Sequence, residues 1–355
     1  MTLPTFALNV SLHWVRRYGA IRPAADPPGS PTQHGKERTL DTVKFGNTGL
    51  NVSPIVYGSL PLGPLQADVP PARGGGLIRS ALERGINMID TAHLYGTYAH
   101  VREGIRGYTG DVLVSSKTHA TDAPTAREHV EAALREMGIE QLAVVLLHAA
   151  RVLKPFTERA AVFEELCRMK EEGLTRAVGL SSHYIAAVRD AAMNPEVDVI
   201  HPLINRTGMG ILDGNAAEMA QAIALAARSG KGVYAMKALA GGNLISSARE
   251  SISWVLGLEG VHALALGMLS EAEIDANVEL AASGRAPEEV WDKLEKGRRH
   301  LTIMRQFCSG CGSCVEVCKD GALSMVEGAA LVDPSACVLC GYCGAACPEF
   351  VIRVT

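Results

Sequence analysis

The sequence predicts an α/β protein: a (β/α)8 TIM barrel followed by a small α+β domain at the C-terminus. Two observations carry this. From residue 43 onward, short apolar runs alternate with amphipathic stretches, and eight of the 9 cysteines stand in two identically spaced runs near the end of the chain. Strands alternating with helices build a parallel sheet, closed as a barrel or open and doubly wound, and eight repeats favour closure. At 355 residues the chain can hold one large domain and a small module.

Parallel strands are expected over 54–57, 87–92, 112–117, 142–148, 175–182, 197–205, 232–239 and 262–268. Helices are expected over 72–84, 126–137, 156–172, 214–229 and 271–282. Residues 43–52 carry an Asn47-Thr48-Gly49 turn and read as a hairpin placed to plug the barrel bottom. Polar residues fall at strand ends, where barrel chemistry is found: Asp90, Lys117, His148, Ser181, Asn205 and Lys237. Gly74-Gly75-Gly76 and Gly241-Gly242 match neither a P-loop nor a dinucleotide fingerprint and read as hinges or turns.

The expected division is a tail at 1–42, the barrel at 43–285, a connecting helix at 286–306 and the cysteine module at 307–355. In the connection, Val290, Leu294, Gly297, Leu301 and Met304 recur at helical steps after a start at Pro287. A helix from there to Gln306 would span about 30 Å and return the chain to the top of the barrel, so that the module caps its mouth. In the tail, residues 6–15 are mildly apolar, but Arg16-Arg17 follows them, the wrong order for an export signal. Residues 23–35 read as a disordered linker.

The cysteine runs are Cys308-x2-Cys311-x2-Cys314-x3-Cys318 and Cys337-x2-Cys340-x2-Cys343-x3-Cys347, the second followed by Pro348. Zinc sites use paired C-x2-C units, and disulfide frameworks belong to small secreted domains, so neither accounts for this spacing. The pattern resembles the bacterial two-cluster ferredoxins, making the small domain ferredoxin-like. That resemblance implies two [4Fe–4S] clusters, one held by Cys308, Cys311, Cys314 and Cys347, the other by Cys337, Cys340, Cys343 and Cys318. The ninth cysteine, Cys167, lies in a helical pattern and reads as a small buried hydrophobe.

Three further segments stand in order at strand ends: Met88-Ile89-Asp90-Thr91-Ala92-His93-Leu94-Tyr95-Gly96, Ser115-Ser116-Lys117-Thr118 and Val145-Leu146-Leu147-His148. Together they resemble the aldo/keto reductase signature, in the subgroup with a C-terminal ferredoxin module. The resemblance implies that Tyr95 is a general acid, Lys117 its electrostatic partner, Asp90 the lysine's counter-ion and His148 an orienter of the substrate carbonyl. The chemistry is coherent: a tyrosine donates a proton near neutral pH only if a nearby ammonium lowers its pKa from about 10. For the cofactor, the resemblance points to Ser181, Ser182, Asn205, Lys237, Gly267 and Asn277. The family commonly places a glutamine and a nicotinamide-stacking tyrosine near the sixth strand's end, where His201 and Ile204 stand here. The loop from Gly267 to Asn277 has no Lys or Arg for a 2′-phosphate, so within NAD(P)H the reading favours NADH over NADPH, with a flavin left open.

The formal net charge of −4 argues against nucleic acid as a partner, and no apolar run reaches the eighteen residues of a membrane span. Iron held by thiolates implies a reducing compartment, the cytoplasm. His93, His100, His119 and His183 near the strand tops read as polar pocket lining rather than metal ligands. The function expected is an iron–sulfur oxidoreductase acting on the carbonyl/alcohol pair of a small molecule. The alternative is an electron-transfer or partner-docking subunit, served by a redox partner protein, whose barrel is catalytically idle. Hydride transfer moves two electrons and each cluster one, so a flavin or an unusual substrate must bridge the steps, or the clusters are structural or sensory.

Overall fold

The structure, a computed structural model, describes residues 40–284, 288–296 and 300–354. The expected tail at 1–42 falls almost wholly outside the described residues. A hairpin of β1 (Val43–Lys44) and β2 (Asn51–Val52) opens the fold. Eight parallel strands then close a barrel: β3 (Ile55–Gly58), β4 (Met88–Asp90), β5 (Leu113–Thr118), β6 (Leu142–His148), β7 (Thr175–Ser182), β8 (Val199–Pro202), β9 (Gly232–Ala235) and β10 (Ala263–Leu266), with β10 pairing β3. Around it pack α1 (Pro71–Glu83), α2 (Tyr98–Ile105), α3 (Ala123–Met137), α4 (Pro155–Glu158), α5 (Ala160–Glu171), α6 (Ile185–Met193), α7 (Ala216–Arg228), α8 (Ala248–Leu256) and α9 (Glu271–Ser283). The closed barrel and its eight strands are those the sequence predicts.

Local chemistry sets the helix starts. The Asp122 side chain accepts the Thr125 N–H at 2.9 Å ahead of α3, and Asn215 and Glu218 form a reciprocal capping box ahead of α7. Strand alternation divides the core. On β6, Val144 and Leu146 face the barrel interior while Val145 and Leu147 face the helices. The hairpin closes the bottom: Phe45 is fully buried and meets the rings of Tyr234 and His262 edge-on, each at 6.0 Å.

Two sequence expectations are corrected. Gly74 and Gly75 are no hinge; they lie inside α1, and a Cβ on Gly75 would stand 2.4 Å from the Glu103 Cβ of α2. Their smallness lets two helices touch. The connecting helix expected over 286–306, part of which lies outside the described residues, does not extend through 301–303. Its helical part is α10 (Glu288–Glu295), while Leu301–Ile303 forms a strand, β11. Leu301 and Ile303 keep an apolar spacing of two as well as of four, and pairing with the C-terminal strand β14 (Ile352–Val354) takes the strand option.

The C-terminal module consists of β11, α11 (Ser313–Glu316), the antiparallel pair β12 (Leu323–Val326) and β13 (Ala329–Val332), α12 (Tyr342–Ala346) and β14. It sits on the carboxyl end of the barrel. Arg151, beyond β6, pairs with Glu349 at 3.0 Å and donates to the Pro348 carbonyl. Phe350 packs with Leu203 and Met236 and meets the His183 ring edge-on at 6.0 Å. Gly242, beyond β9, has φ +96° and a Cβ there would lie 1.8 Å from the Val354 carbonyl oxygen. The Gly241-Gly242 turn is thus a seat for β14, which only glycine permits.

Candidate active site

Four side chains converge where the strands end. The Lys117 ammonium donates to Asp90 Oδ2 at 2.6 Å, to the Thr91 carbonyl at 2.9 Å and to Tyr95 Oη at 3.4 Å, which uses its three protons. It also lies 4.7 Å from the Tyr95 ring centroid. The His148 ring stands edge-on to Tyr95 at 5.9 Å. Register explains the convergence: Asp90 pairs with Ser115 across β4–β5, and Lys117 points to the same face two residues on. A tight turn over His93–Tyr95 then folds Tyr95 back over the lysine.

Asp90 has a second partner that sequence reasoning missed. The Tyr234 hydroxyl donates to Asp90 Oδ1 at 2.9 Å, leaving Ser115 to donate to Tyr234 in turn, also at 2.9 Å. His201 stacks on the Tyr234 ring at 3.9 Å, its Nδ1 2.7 Å from the Tyr234 carbonyl oxygen. Tyr234 lies inside an apolar strand, and nothing in its spacing singles it out.

The electrostatics differ from expectation at one point. Burial raises the Tyr95 pKa, and the opposing pull of Lys117 does not overcome it. Burial alone would lower the Lys117 pKa, but Asp90 and Tyr95 outweigh it and hold the ammonium charged. Tyr95 therefore keeps its proton next to a fixed cation, which suits an acid that gives the proton up only to a strongly basic oxygen. Burial, with Lys117 next, pushes His148 well below the usual histidine range, so it is neutral.

His201 is 1% exposed, and burial pulls its pKa to about 3. An unfolded histidine titrates near 6.5. Between those values the unfolded chain binds a proton that the native one does not, so stability rises with pH and is lost on acidification through that window. His201→Gln should flatten the fall by as much as about 1.4 kcal/mol per pH unit. Urea midpoints of both proteins between pH 7 and pH 5 check this; parallel falls would contradict it.

A cavity of about 280 Å³ opens from this constellation along the tops of β9 and β10. Asp90, Tyr95, His201, Lys237, Gly267, Glu273, Asn277 and Trp291 are among the residues that line it. Of the sequence-predicted cofactor residues, Lys237, Gly267 and Asn277 thus share the cavity. Ser181 lies in register between His148 and His201, its hydroxyl buried without a partner. The other two are drawn elsewhere. Ser182 accepts the Tyr184 N–H, and Asn205 spends its amide on Thr207 and Met209 in its own loop. Both are turn-makers, a role these residue types fill wherever chain reverses.

Among the described residues, Asn277 Oδ1 and Trp291 Nε1, buried in the cavity wall, have no hydrogen-bond partner. An acceptor and a donor left open beside a flat indole suit the edge and face of a purine. Trp291, Glu273 and Arg353 are cavity residues that the sequence reading did not single out.

The histidine expectation fails. His100 is tied to the Val69 carbonyl at 2.6 Å, His183 packs on Phe350, and His93 and His119 gather with His129, the His93 and His129 rings stacked at 3.6 Å. None of the four predicted histidines lines the cavity. Cys167 is half-buried in α5, and burial pushes its thiol up to about 11, as befits a packing residue.

In the C-terminal module the cysteines form two sets. Cys308, Cys311, Cys314 and Cys347 line one small cavity, and Cys318, Cys337, Cys340 and Cys343 line another. Among the described residues no group of three or more His, Cys, Asp or Glu converges on a single metal ion. Four thiolates ringing a void fit a larger body, an iron–sulfur cluster, and each void groups three cysteines of one run with the fourth of the other, the grouping that the resemblance implies. β14 lies between the first void and the barrel cavity, with Val351 and Ile352 lining one and Arg353 and Val354 the other.

Comparison with known proteins agrees with this division. The model of the aldo/keto reductase family matches residues 54–250, and that of a 4Fe-4S dicluster domain matches residues 307–351. An uncharacterized oxidoreductase of Schizosaccharomyces pombe is 31% identical over 147 residues, which is 37% of this chain and 47% of that protein. The chloroplastic pyridoxal reductase of Arabidopsis thaliana is 31% identical over 120 residues, 29% of this chain and 33% of that protein. The chain thus spans half or less of the length of these curated relatives. A solved Pseudomonas aeruginosa chain assigned to the aldo-keto reductases aligns at a TM-score of 0.59 with 27% identity, covering 69% of this chain and 98% of its own. Among the described residues no helix is long and apolar enough to cross a membrane. With more than half its length matched by the family model, the chain belongs to the aldo/keto reductase family, extended at its C-terminus by a 4Fe-4S dicluster domain.

Proposed function

We propose that this protein is an iron–sulfur oxidoreductase that interconverts a carbonyl and an alcohol on a small organic molecule, with NADH as hydride carrier. The observation that carries the reading is the buried Lys117–Asp90 pair holding Tyr95 at the mouth of a cavity able to take a nucleotide. NADH, when bound, supplies a hydride; iron–sulfur clusters, when held by the two cysteine sets, supply or accept single electrons. Tyr95 delivers the proton to the carbonyl oxygen, its loss favoured by Lys117 at 3.4 Å as phenolate character develops. Asp90 fixes that lysine, and neutral His148 offers a ring N–H toward the same oxygen. Asn277 and Trp291 would receive the adenine and Ser181 the carboxamide, each supplying a buried polar atom that now lacks a partner. Iron held by thiolates would call for a reducing compartment, which favours the cytoplasm as the protein's location.

Glu273 decides between the nucleotides. It lies in the cavity wall, anchored by the Leu269 N–H at 2.6 Å, where a carboxylate can accept from ribose hydroxyls and repels a 2′-phosphate. NADH should bind at least about tenfold tighter than NADPH, a difference of about 1.4 kcal/mol, and Glu273→Gln should narrow the gap. Fluorescence titration of both nucleotides measures it; equal affinities in the wild type would exclude this role. The function itself is tested on anaerobically purified protein, analysed for iron, sulfide, flavin and nucleotide and then assayed with small aldehydes, ketones and alcohols. Turnover that requires Tyr95 supports the reading, and absence of turnover in both directions removes it.

A further inference from the structure

The cavity has a second pole, formed across the boundary between the two domains. Arg353, on β14 of the C-terminal module, is 5% exposed and lines the barrel cavity with Tyr95 and Lys237. Its guanidinium stacks 4.6 Å from the Phe350 ring centroid and lies against Gly241, where a Cβ would come within 2.9 Å of Nη1. Nη1 donates to the Ile352 carbonyl at 3.2 Å, while the buried Nε has no partner. Among the described residues no Asp or Glu forms an ion pair with Arg353 or with Lys237. The nearby carboxylates are engaged: Asp90 by Lys117 and Tyr234, Glu273 by the Leu269 N–H, Glu349 by Arg151.

Lys237 lines the same cavity at φ +67°, a left-handed backbone that a lysine rarely adopts. Burial, then Arg353 and Lys117, push its pKa well below the usual lysine value. A buried guanidinium and an ammonium that its surroundings disfavour, lining one void with no carboxylate paired to either among the described residues, are costly unless an anion arrives with the ligand.

We propose that Arg353 and Lys237 together form a binding site for an anionic oxygen group of the ligand, one cation given by the dicluster module and one by the barrel. Guanidinium takes a carboxylate or phosphate through two parallel hydrogen bonds, and the ammonium adds a point charge. The group is either a carboxylate of the substrate or a phosphate of the dinucleotide; both present the same chemistry to this pair. The module is then part of the ligand site as well as a carrier of clusters, and an isolated barrel lacks half of this pole. The proposal rests on reading this cavity as the ligand site, and not on the reaction performed there, so its test measures binding without turnover.

The full-length, cluster-loaded protein is titrated calorimetrically with oxalate, as a carboxylate probe, and with inorganic pyrophosphate, as a phosphate probe. The wild type should bind at least one, and Arg353→Gln should weaken that binding at least tenfold, with Arg353→Lys losing less. Loss confined to oxalate assigns the site to a substrate carboxylate; loss confined to pyrophosphate assigns it to the dinucleotide; loss of both supports a site shared by either. Should Arg353→Gln fail to fold or to retain its cluster absorbance, Lys237→Gln on the barrel side carries the same expectation. Failure of the wild type to bind either probe, or undiminished binding in the folded variants, overturns the proposal, whatever the enzyme's activity.

Discussion

Tyr95→Phe should lower kcat/KM for carbonyl reduction by about 10²–10⁴, the usual contribution of a positioned proton donor. NADH affinity and the urea midpoint should barely move, because among the described residues the hydroxyl's hydrogen bonding is confined to the 3.4 Å contact from Lys117. The direction of the Tyr95 pKa adds a second readout. Burial raises it, so the acid stays protonated through the neutral and moderately alkaline range. Reduction should therefore show no falling limb between pH 7 and 9 that vanishes in the variant. Unchanged turnover in Tyr95→Phe would leave the barrel as a docking scaffold for an electron carrier.

Asp90→Asn should be the most damaging single change to stability. Lys117 is 1% exposed and Asp90 3% exposed, so the substitution leaves an ammonium in the core with only a carbonyl and a phenol for company. Removing one partner of such a pair costs about 3–5 kcal/mol, far above the cost of breaking a surface pair. The asparagine would keep much of the shape and could still accept from Tyr234, which separates the charge effect from packing. Chemical denaturation of both proteins at pH 7 measures it. A loss under about 1 kcal/mol would mean that the lysine is neutral or hydrated, and the account of Tyr95 would fall with it.

Much of this was legible in the sequence because it rests on periodicity and spacing. The β6 run Leu142–His148 could be read to the residue, and both cysteine sets, including the exchange of Cys318 and Cys347, follow from the spacing once the resemblance is granted. Asp90, Lys117 and His148 stand out as polar residues at strand ends, whereas Tyr95 and the roles of all four come from the family resemblance. What escaped depended on contacts between distant segments. Tyr234 and Ser115 are 119 residues apart, and neither has a pattern that announces the other. Asn205 and Ser182 have the right chemistry for a cofactor but satisfy their own loops first. Arg353 was invisible for the plainest reason: alternation along β14 says only that it faces away from Ile352, and the cavity it faces belongs to another domain. The expected helix over 286–306 failed where Leu301 and Ile303 satisfied two periodicities at once, and a partner strand decided between them.

We propose that the proton-donating site and the cluster module are coupled, the clusters exchanging electrons one at a time with a substrate whose oxygen takes its proton from Tyr95. This coupling is tested most directly by following iron–sulfur absorbance in anaerobically prepared protein while a carbonyl substrate turns over with reduced ferredoxin in place of NADH, whose hydride carries both electrons and leaves the clusters unchanged. The account predicts a change in cluster oxidation state that requires substrate and is lost in Tyr95→Phe. Steady turnover with the clusters unchanged throughout would contradict it.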